Sequence, residues 1–315
     1  MSAMNILVIG SEGAIGSRLV NMLTITIPTA TIIRVGKSTS SFASETSMQR
    51  LLIGDLLDRN FVDAIFKKYD IQVVIFCAAK WNGINQDPTV LDVNVRMFSN
   101  VLAALRDTVT NFIYLSSSAV YAPGQCNDSL SIKSLPDSTY GKSKLINEIL
   151  LLNKSDITGL EVTIYRPFHV VSPHEKYCLG RSHITTDFVH RYIELETDFI
   201  WKSLPNDVFI PFYWVDDLCE IIAKNIFNLD FVGKVFNVGA SYSFSILNLA
   251  VCIATVATKY GLSAHQLPVI ENDLTSVENN MVSKLSEMIV TPEPKDLMEI
   301  VERFITEKYG IAYEY

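Results

Sequence analysis

Paired cysteines are missing from this sequence. Its 315 residues hold only five, Cys77, Cys126, Cys178, Cys219 and Cys252, scattered and never spaced as C-x-x-C. That excludes a disulfide framework and a zinc ribbon, and makes a reducing cytoplasm the expected location. Positive charge is also short: 26 Lys and Arg stand against 34 Asp and Glu, a net charge of −8. Neither a nucleic acid nor an anionic membrane surface is therefore expected as a partner. No apolar run approaches the roughly 18 residues of a membrane helix. The opening Met1–Gly10 lacks a basic leader and its apolar run stops at Gly10, so it is expected to be a buried strand and not a signal peptide. His183 and His190 lie one heptad apart with no third ligand spaced for a metal, so no metal site is expected. Internal repeats, charge blocks and low-complexity linkers are absent too, and any second domain must be intimately attached.

What the chain does have is a rhythm. Ile6–Ile9, Thr31–Val35, Val73–Cys77 and Phe112–Leu115 are short β-branched apolar runs that read as buried strands. Between them, Ala14–Leu23, Asn60–Tyr69 and Thr89–Arg106 place apolar residues at helical spacing. Strand–helix alternation of this kind predicts an α/β fold, a Rossmann-type doubly wound parallel sheet with helices on both faces. Ser116–Asp137, rich in Ser, Pro, Asn and Gly, reads as a long functional loop. Tyr140–Asn153 is read as a helix and Leu160–Arg166 as a strand. Beyond them, Thr185–Glu196, Asp216–Asn228, Ile246–Lys259 and Pro294–Lys308 are read as helices, and Val208–Pro211 and Val235–Val238 as strands. The expected division is a dinucleotide-binding domain over residues 1–166. A smaller α/β substrate-binding region follows over 167–315, with segments returning to the first domain.

Gly10-Ser-Glu-Gly13-Ala-Ile-Gly16 follows the first strand directly and opens the first helix. Glycines at such a turn let the backbone approach a pyrophosphate, which the free N–H groups of the helix then hold. Gly10, Gly13, Ala14, Ile15 and Gly16 are thus the expected cofactor turn; the plainer alternative is a tight turn with no ligand. Some 20 residues on, where an NAD site usually carries an acid, stands Arg34-Val-Gly36-Lys37-Ser38. With no carboxylate there, Lys37 and Ser38 suit a 2′-phosphate, so the cofactor reads as NAD(P), leaning towards NADP; otherwise Lys37 is a solvated loop residue. Two Gly-Lys-Ser triplets, Gly36–Ser38 and Gly141–Ser143, are not P-loops, because Thr31 and Pro136 stand where that motif needs a glycine.

Tyr140-Gly-Lys-Ser-Lys144 places a phenol and an ammonium four residues apart, on one face of a helix. A cation at that distance lowers a tyrosine's ordinary pKa of about 10 and suits it to acid/base work near neutrality. The spacing alone also arises by chance on surface helices.

Further segments occur in a telling order: Gly54-Asp55-Leu56, Cys77-Ala78-Ala79, Asn94-Val95, Ser116-Ser-Ser-Ala-Val-Tyr121, Arg166-Pro-Phe168, Val215-Asp-Asp217 and Phe236-Asn-Val-Gly239. With the glycine turn and Tyr140–Lys144, they resemble the extended short-chain dehydrogenase/reductases, a family of nucleotide-sugar epimerases, dehydratases and reductases, from residue 5 to about 240. The resemblance implies Tyr140 as acid/base and Lys144 as the cation that lowers its pKa and holds the nicotinamide ribose. It implies Ser117, three places before Val120-Tyr121, as hydrogen-bond partner of the reacting oxygen, with Ser118 as the other candidate. Asp55 and Leu56 are implied at the adenine, Ala78 and Ala79 along the diphosphate and ribose, and Asn94 as a structural hydrogen bonder. His169 stands where the family's nucleotide-sugar contact is an asparagine. Where dehydratases carry Asp-Glu after the serine, this chain has Ser118 and Ala119, which disfavours elimination. Ser182–Arg191 resembles a segment of the GDP-fucose synthases, which implies His183 as an acid and Arg191 as a diphosphate contact; the alternatives are a polar helix start and a surface cation.

The activity expected by resemblance is NAD(P)-dependent epimerisation of a nucleotide sugar at a ring carbon. A 4-keto-sugar reductase using NADPH remains open, and so does a non-catalytic dinucleotide sensor. The same resemblance implies a homodimer through Thr89–Arg106 and Tyr140–Asn153.

Overall fold

The computed structural model describes residues 4–38, 48–81, 87–122, 132, 134–195, 208–262, 276–278 and 296–312. Seven strands form the central sheet: β1 (Asn5–Ile9), β2 (Thr31–Gly36), β3 (Gln49–Ile53), β4 (Val73–Phe76), β5 (Asn111–Leu115), β6 (Glu161–Pro167) and, from late in the chain, β10 (Lys234–Val238). They lie in the order β10-β6-β5-β4-β1-β2-β3. All are parallel, with Ile6 opposite both Ile32 and Val73. The expected doubly wound sheet is present. Chain order reverses between β1 and β4, and the crevice beyond the carboxyl ends of those strands is where such sheets bind ligands.

Period-two alternation sorts each strand between two cores. Ile6, Val8, Ile32, Val73 and Ile75 point to one side, against α1 (Gly16–Thr26), α6 (Val215–Asn225), α7 (Ile246–Lys259) and α8 (Leu297–Tyr309). Leu7, Ile9, Ile33, Val74 and Phe76 point to the other, against α2 (Arg59–Lys68), α3 (Thr89–Ala104) and α4 (Thr139–Thr158). Strands buried on both faces explain the unbroken apolar runs. Short pairs complete the second half. β7 (Val170–Val171) lies beside β9 (Tyr213–Trp214), and β11 (Tyr242–Ser245) between β8 (Phe209–Ile210) and β12 (Ser276–Glu278).

Several elements depart from expectation, including the short strands β7, β9, β11 and β12, which were not anticipated. β3 was not anticipated: only three of its five residues are apolar, and as an edge strand it is covered unevenly. α4 runs five residues past Asn153, because its polar end is solvated and the helix stops only at Gly159, whose φ of 73° closes it in the left-handed region. α5 (Ile184–Val189) continues as a π-helical turn over His190–Glu194. Residues 123–131 and 133 of the expected 116–137 loop, the end of the helix expected to reach Glu196, and the start expected at Pro294 lie outside the described residues. Among the described residues, no helix is long and apolar enough to cross a membrane.

Candidate active site

The site begins at the glycine turn. Gly10 has φ 84°, and a Cβ there would sit 2.7 Å from the Ala78 amide nitrogen. A Cβ on Gly16 would lie 2.1 Å from the Gly10 carbonyl oxygen. Only glycine permits the chain to fold this tightly between β1 and α1. No side chain caps α1 and no acid occupies its first turn. Gly13, Ala14, Ile15 and Gly16 instead present the helix start to a cavity of about 910 Å³. An uncapped helix N-terminus behind a glycine turn has the donors and field for a diphosphate. The residues present therefore fit a dinucleotide.

At the other end of the same cavity lie Ser117, Ser118, Tyr140 and Lys144. Ser117 Oγ accepts the Ala119 N–H at 3.1 Å and caps a 3-10 turn over Ser118–Val120. α4 starts hard against that turn, since a Cβ on Gly141 would fall 2.0 Å from the Ala119 carbonyl oxygen. This packing brings Tyr140 to Ser117, which hydrogen-bonds it.

The phenol does not have the lowered pKa expected from the Tyr-Lys spacing. Burial pushes Tyr140 up to about 12, with the Ser117 hydrogen bond opposing. The cause is positional. Lys144 Nζ donates to the Leu115 carbonyl at 2.6 Å and sits 5.7 Å from the Tyr140 ring centroid, little farther than its 5.0 Å from that of Tyr114. Lys144 is itself only 3% exposed. Burial draws it down to about 8, against the charges of Cys77 and Glu148. Asn94, buried, accepts the Lys80 N–H at 2.6 Å and donates to Ser143 Oγ at 3.0 Å, fixing the start of α3 to α4.

Three residues that sequence reasoning did not single out also line the cavity: Trp81, Glu175 and Glu12. The Trp81 ring meets Tyr140 edge-on at 4.8 Å and stacks with His183 at 6.0 Å, while its Nε1 donates to the Arg181 carbonyl at 2.8 Å. Glu175 holds His183 Nδ1 at 2.6 Å. Burial works against the charged imidazole, but the Glu175 carboxylate outweighs it and raises the His183 pKa. His169, at φ 30°, lies 5.8 Å from His183 between ring centroids, and burial pulls it down to about 3, so it is neutral. Trp81 had one available signal, an aromatic two places after the Ala78-Ala79 segment; Glu175 had none, being eight residues from His183 in irregular chain. Arg191, implied as a diphosphate contact, is not brought to the other candidates. It is absent from the cavity lining and pairs along its own helix with Asp187 at 2.8 Å.

Asp55, Leu56, Ala78 and Ala79 also line the cavity, Ala78 against Gly10. Lys37 is there too, but it is paired with Asp55 at 2.9 Å. The Asp55 pKa is lowered first by the Leu57 N–H it accepts and then by Lys37. Among the described residues, no cluster of three or more His, Cys, Asp or Glu is arranged to hold a metal ion.

The sequence profile of the NAD dependent epimerase/dehydratase family matches residues 6–239. N-acetyl-α-D-glucosaminyl-diphospho-ditrans,octacis-undecaprenol 4-epimerase of Escherichia coli O157:H7 is 34% identical over 167 residues, 52% of this chain and 48% of that protein. A dTDP-glucose 4,6-dehydratase of Streptomyces antibioticus is 30% identical over 185 residues, 55% of each. The chain thus spans about half the length of the curated relatives it matches. Among solved structures, UDP-glucose 4-epimerase of Thermus thermophilus, in complex with NAD, superposes with a TM-score of 0.78 at 21% identity, covering 98% of this chain and all of that one. At that identity the likeness concerns the fold.

Proposed function

Since this chain belongs to the NAD dependent epimerase/dehydratase family, we propose that it is a 4-epimerase of sugars carried on a diphosphate, with a nucleotide sugar as first candidate. One observation carries the reading. Half-buried Ser117 and Tyr140, buried Lys144 and the glycine turn open onto one cavity, so a dinucleotide's reactive end and a sugar hydroxyl would meet beside the phenol. When bound, the nicotinamide accepts a hydride from the sugar carbon and returns it. Residues 1–166 provide the cofactor cradle and 167–315 most of the sugar's surroundings.

In its phenolate form Tyr140 takes the proton from the hydroxyl oxygen as the carbonyl forms, becoming the neutral phenol, and gives that proton back to the same oxygen after the ring presents its other face. Ser117 fixes that oxygen and shares its hydrogen bond with the phenol. Lys144, drawn to about 8 by burial, is the cation that would stabilise that phenolate and would hold a nicotinamide ribose. Water elimination is disfavoured, because Ser118 and Ala119 line the cavity where dehydratases carry two acids. The free thiols of all four described cysteines suit a cytoplasmic protein. The outward α4 residues Ile146, Ile149 and Leu152 suit a homodimer.

The test is a panel of UDP-, GDP-, CDP- and dTDP-sugars with an undecaprenyl-diphospho-sugar, each followed by NMR for the C4 epimer and by absorbance for net nicotinamide change. Epimer without net redox change is the expected result. Net oxidation of NADPH on 4-keto sugars marks a reductase, and binding without turnover on any sugar marks a sensor.

A further inference from the structure

The acid missing from the end of β2 has a replacement on a different element. A Cβ built on Gly36 would lie 2.4 Å from Glu12 Cγ and 3.2 Å from Glu12 Cβ. The space of a residue-36 side chain is therefore filled by Glu12, which reaches across from the glycine turn. The Glu12 carboxylate is fixed there. Its Oε1 accepts Arg34 Nη2 at 2.7 Å and Ser11 Oγ at 3.0 Å, and its side chain is only 7% exposed. Glu12, Gly36, Lys37, Ser38 and Asp55 together line one end of the cavity.

We propose that Glu12 selects the cofactor, receiving the adenosine ribose hydroxyls in place of the absent β2 acid and setting the protein for NAD rather than NADP. The inference rests on the dinucleotide reading above and deepens it. A carboxylate has up to four acceptor positions, and Glu12 lines the cavity from which a ribose hydroxyl would reach it. A 2′-phosphate would meet two carboxylates at this end, Glu12 and Asp55. Of the cations nearby, Lys37 is paired with Asp55 at 2.9 Å, and Arg34, 1% exposed, lies behind the cavity wall on Glu12 and on Gln49 at 3.1 Å. The lean towards NADP drawn from Lys37 and Ser38 therefore reverses once Glu12 is counted: a carboxylate next to a hydroxyl gains a hydrogen bond, and next to a phosphate it repels.

The test is direct binding, with Kd values for NAD⁺ and NADP⁺ measured by titration calorimetry on the full chain. The wild type is expected to favour NAD⁺ by about tenfold or more, the scale of one hydrogen bond to a charged group. Glu12→Gln keeps the bond to Arg34 but not the charge, and is expected to narrow the ratio by about tenfold. Lys37→Ala, at an exposed position that does not endanger folding, is expected to leave NAD⁺ favoured. Wild-type protein that binds NADP⁺ equally or better overturns the assignment whether or not Glu12→Gln folds, and so does a ratio that Glu12→Gln leaves unmoved. Binding of neither dinucleotide removes the proposed function together with this inference, whereas a preference for NADP⁺ removes this inference alone.

Discussion

At the residue scale, the proposed chemistry turns on two groups, one half-buried and one buried, whose charged forms are both disfavoured. Tyr140 stands at about 12 and Lys144 at about 8, each displaced chiefly by burial. Tyr140→Phe is expected to lower kcat by about 10²–10⁴-fold, the usual worth of a positioned acid/base. Dinucleotide Kd should stay within a few-fold, and a variant with undiminished turnover would remove Tyr140 from the mechanism. Lys144 makes a separate prediction about folding. Its folded pKa lies below its unfolded 10.5, so between about pH 8 and 10.5 the unfolded chain holds more protons and stability rises with pH. Denaturant titrations of the cofactor-free protein should show the wild type gaining roughly 3 kcal/mol on Lys144→Met across that window; a parallel course would contradict the burial. The catalytic candidates were legible in the sequence, because a Tyr-x-x-x-Lys helix behind a serine run brings its members together by local geometry. The direction of the Tyr140 pKa was not. Desolvation comes from distant packing, and the backbone carbonyl that holds Lys144 belongs to β5, twenty-nine residues away.

At the scale of elements, α4 carries the site and is held at both ends of its inner face. Near its start, Gly141 permits contact with the Ser118–Val120 turn. Gly141→Ala is expected to cost about 1–3 kcal/mol by overpacking and to lower kcat more than it alters dinucleotide affinity, since it separates Tyr140 from Ser117. Farther along, Glu148 meets Arg166 of β6 through two bonds, 2.6 and 3.0 Å, with side-chain exposures of 2% and 5%. Arg166 Nη1 also donates to Tyr121 Oη at 2.8 Å, and that hydroxyl donates to Asn237 of β10 at 2.8 Å. Glu148→Ala should therefore cost about 3–5 kcal/mol, the penalty of a buried charge left without its partner, read as a fall in the denaturation midpoint. Most elements were legible because strands buried on both faces give unbroken runs, and helices facing one core give a clean period. β3 was not, since an edge strand needs no such run, and neither were the short strands β7, β9, β11 and β12, which are set by pairing across the second half, whereas β8 falls within the strand read at Val208–Pro211.

At the scale of the whole molecule, the parallel sheet places the glycine turn and the Tyr140 helix on the two flanks of one crevice. The ordered motifs made that arrangement legible, because each marks a strand end or a helix start. What they did not show is which surfaces meet a second copy. α4 leaves Ile146, Ile149 and Leu152 36%, 58% and 36% exposed, on the face opposite buried Ser143, Asn147 and Leu151. If that stripe pairs two copies, sedimentation of the wild type should give a dimer and of Ile149→Glu a monomer with an unchanged circular dichroism spectrum. A monomeric wild type would refute the pairing.

The reach of Glu12 into the space beside Gly36 carries an evolutionary consequence. An acid cannot appear at position 36 while Glu12 occupies that volume, and Glu12 cannot be lost first without leaving the ribose end with no acid of its own beyond Asp55. A lineage moving between the two arrangements must pass through a crowded or an impaired intermediate. The two positions should therefore change as a pair: Gly36→Asp is deleterious alone and is rescued when Glu12→Gly accompanies it.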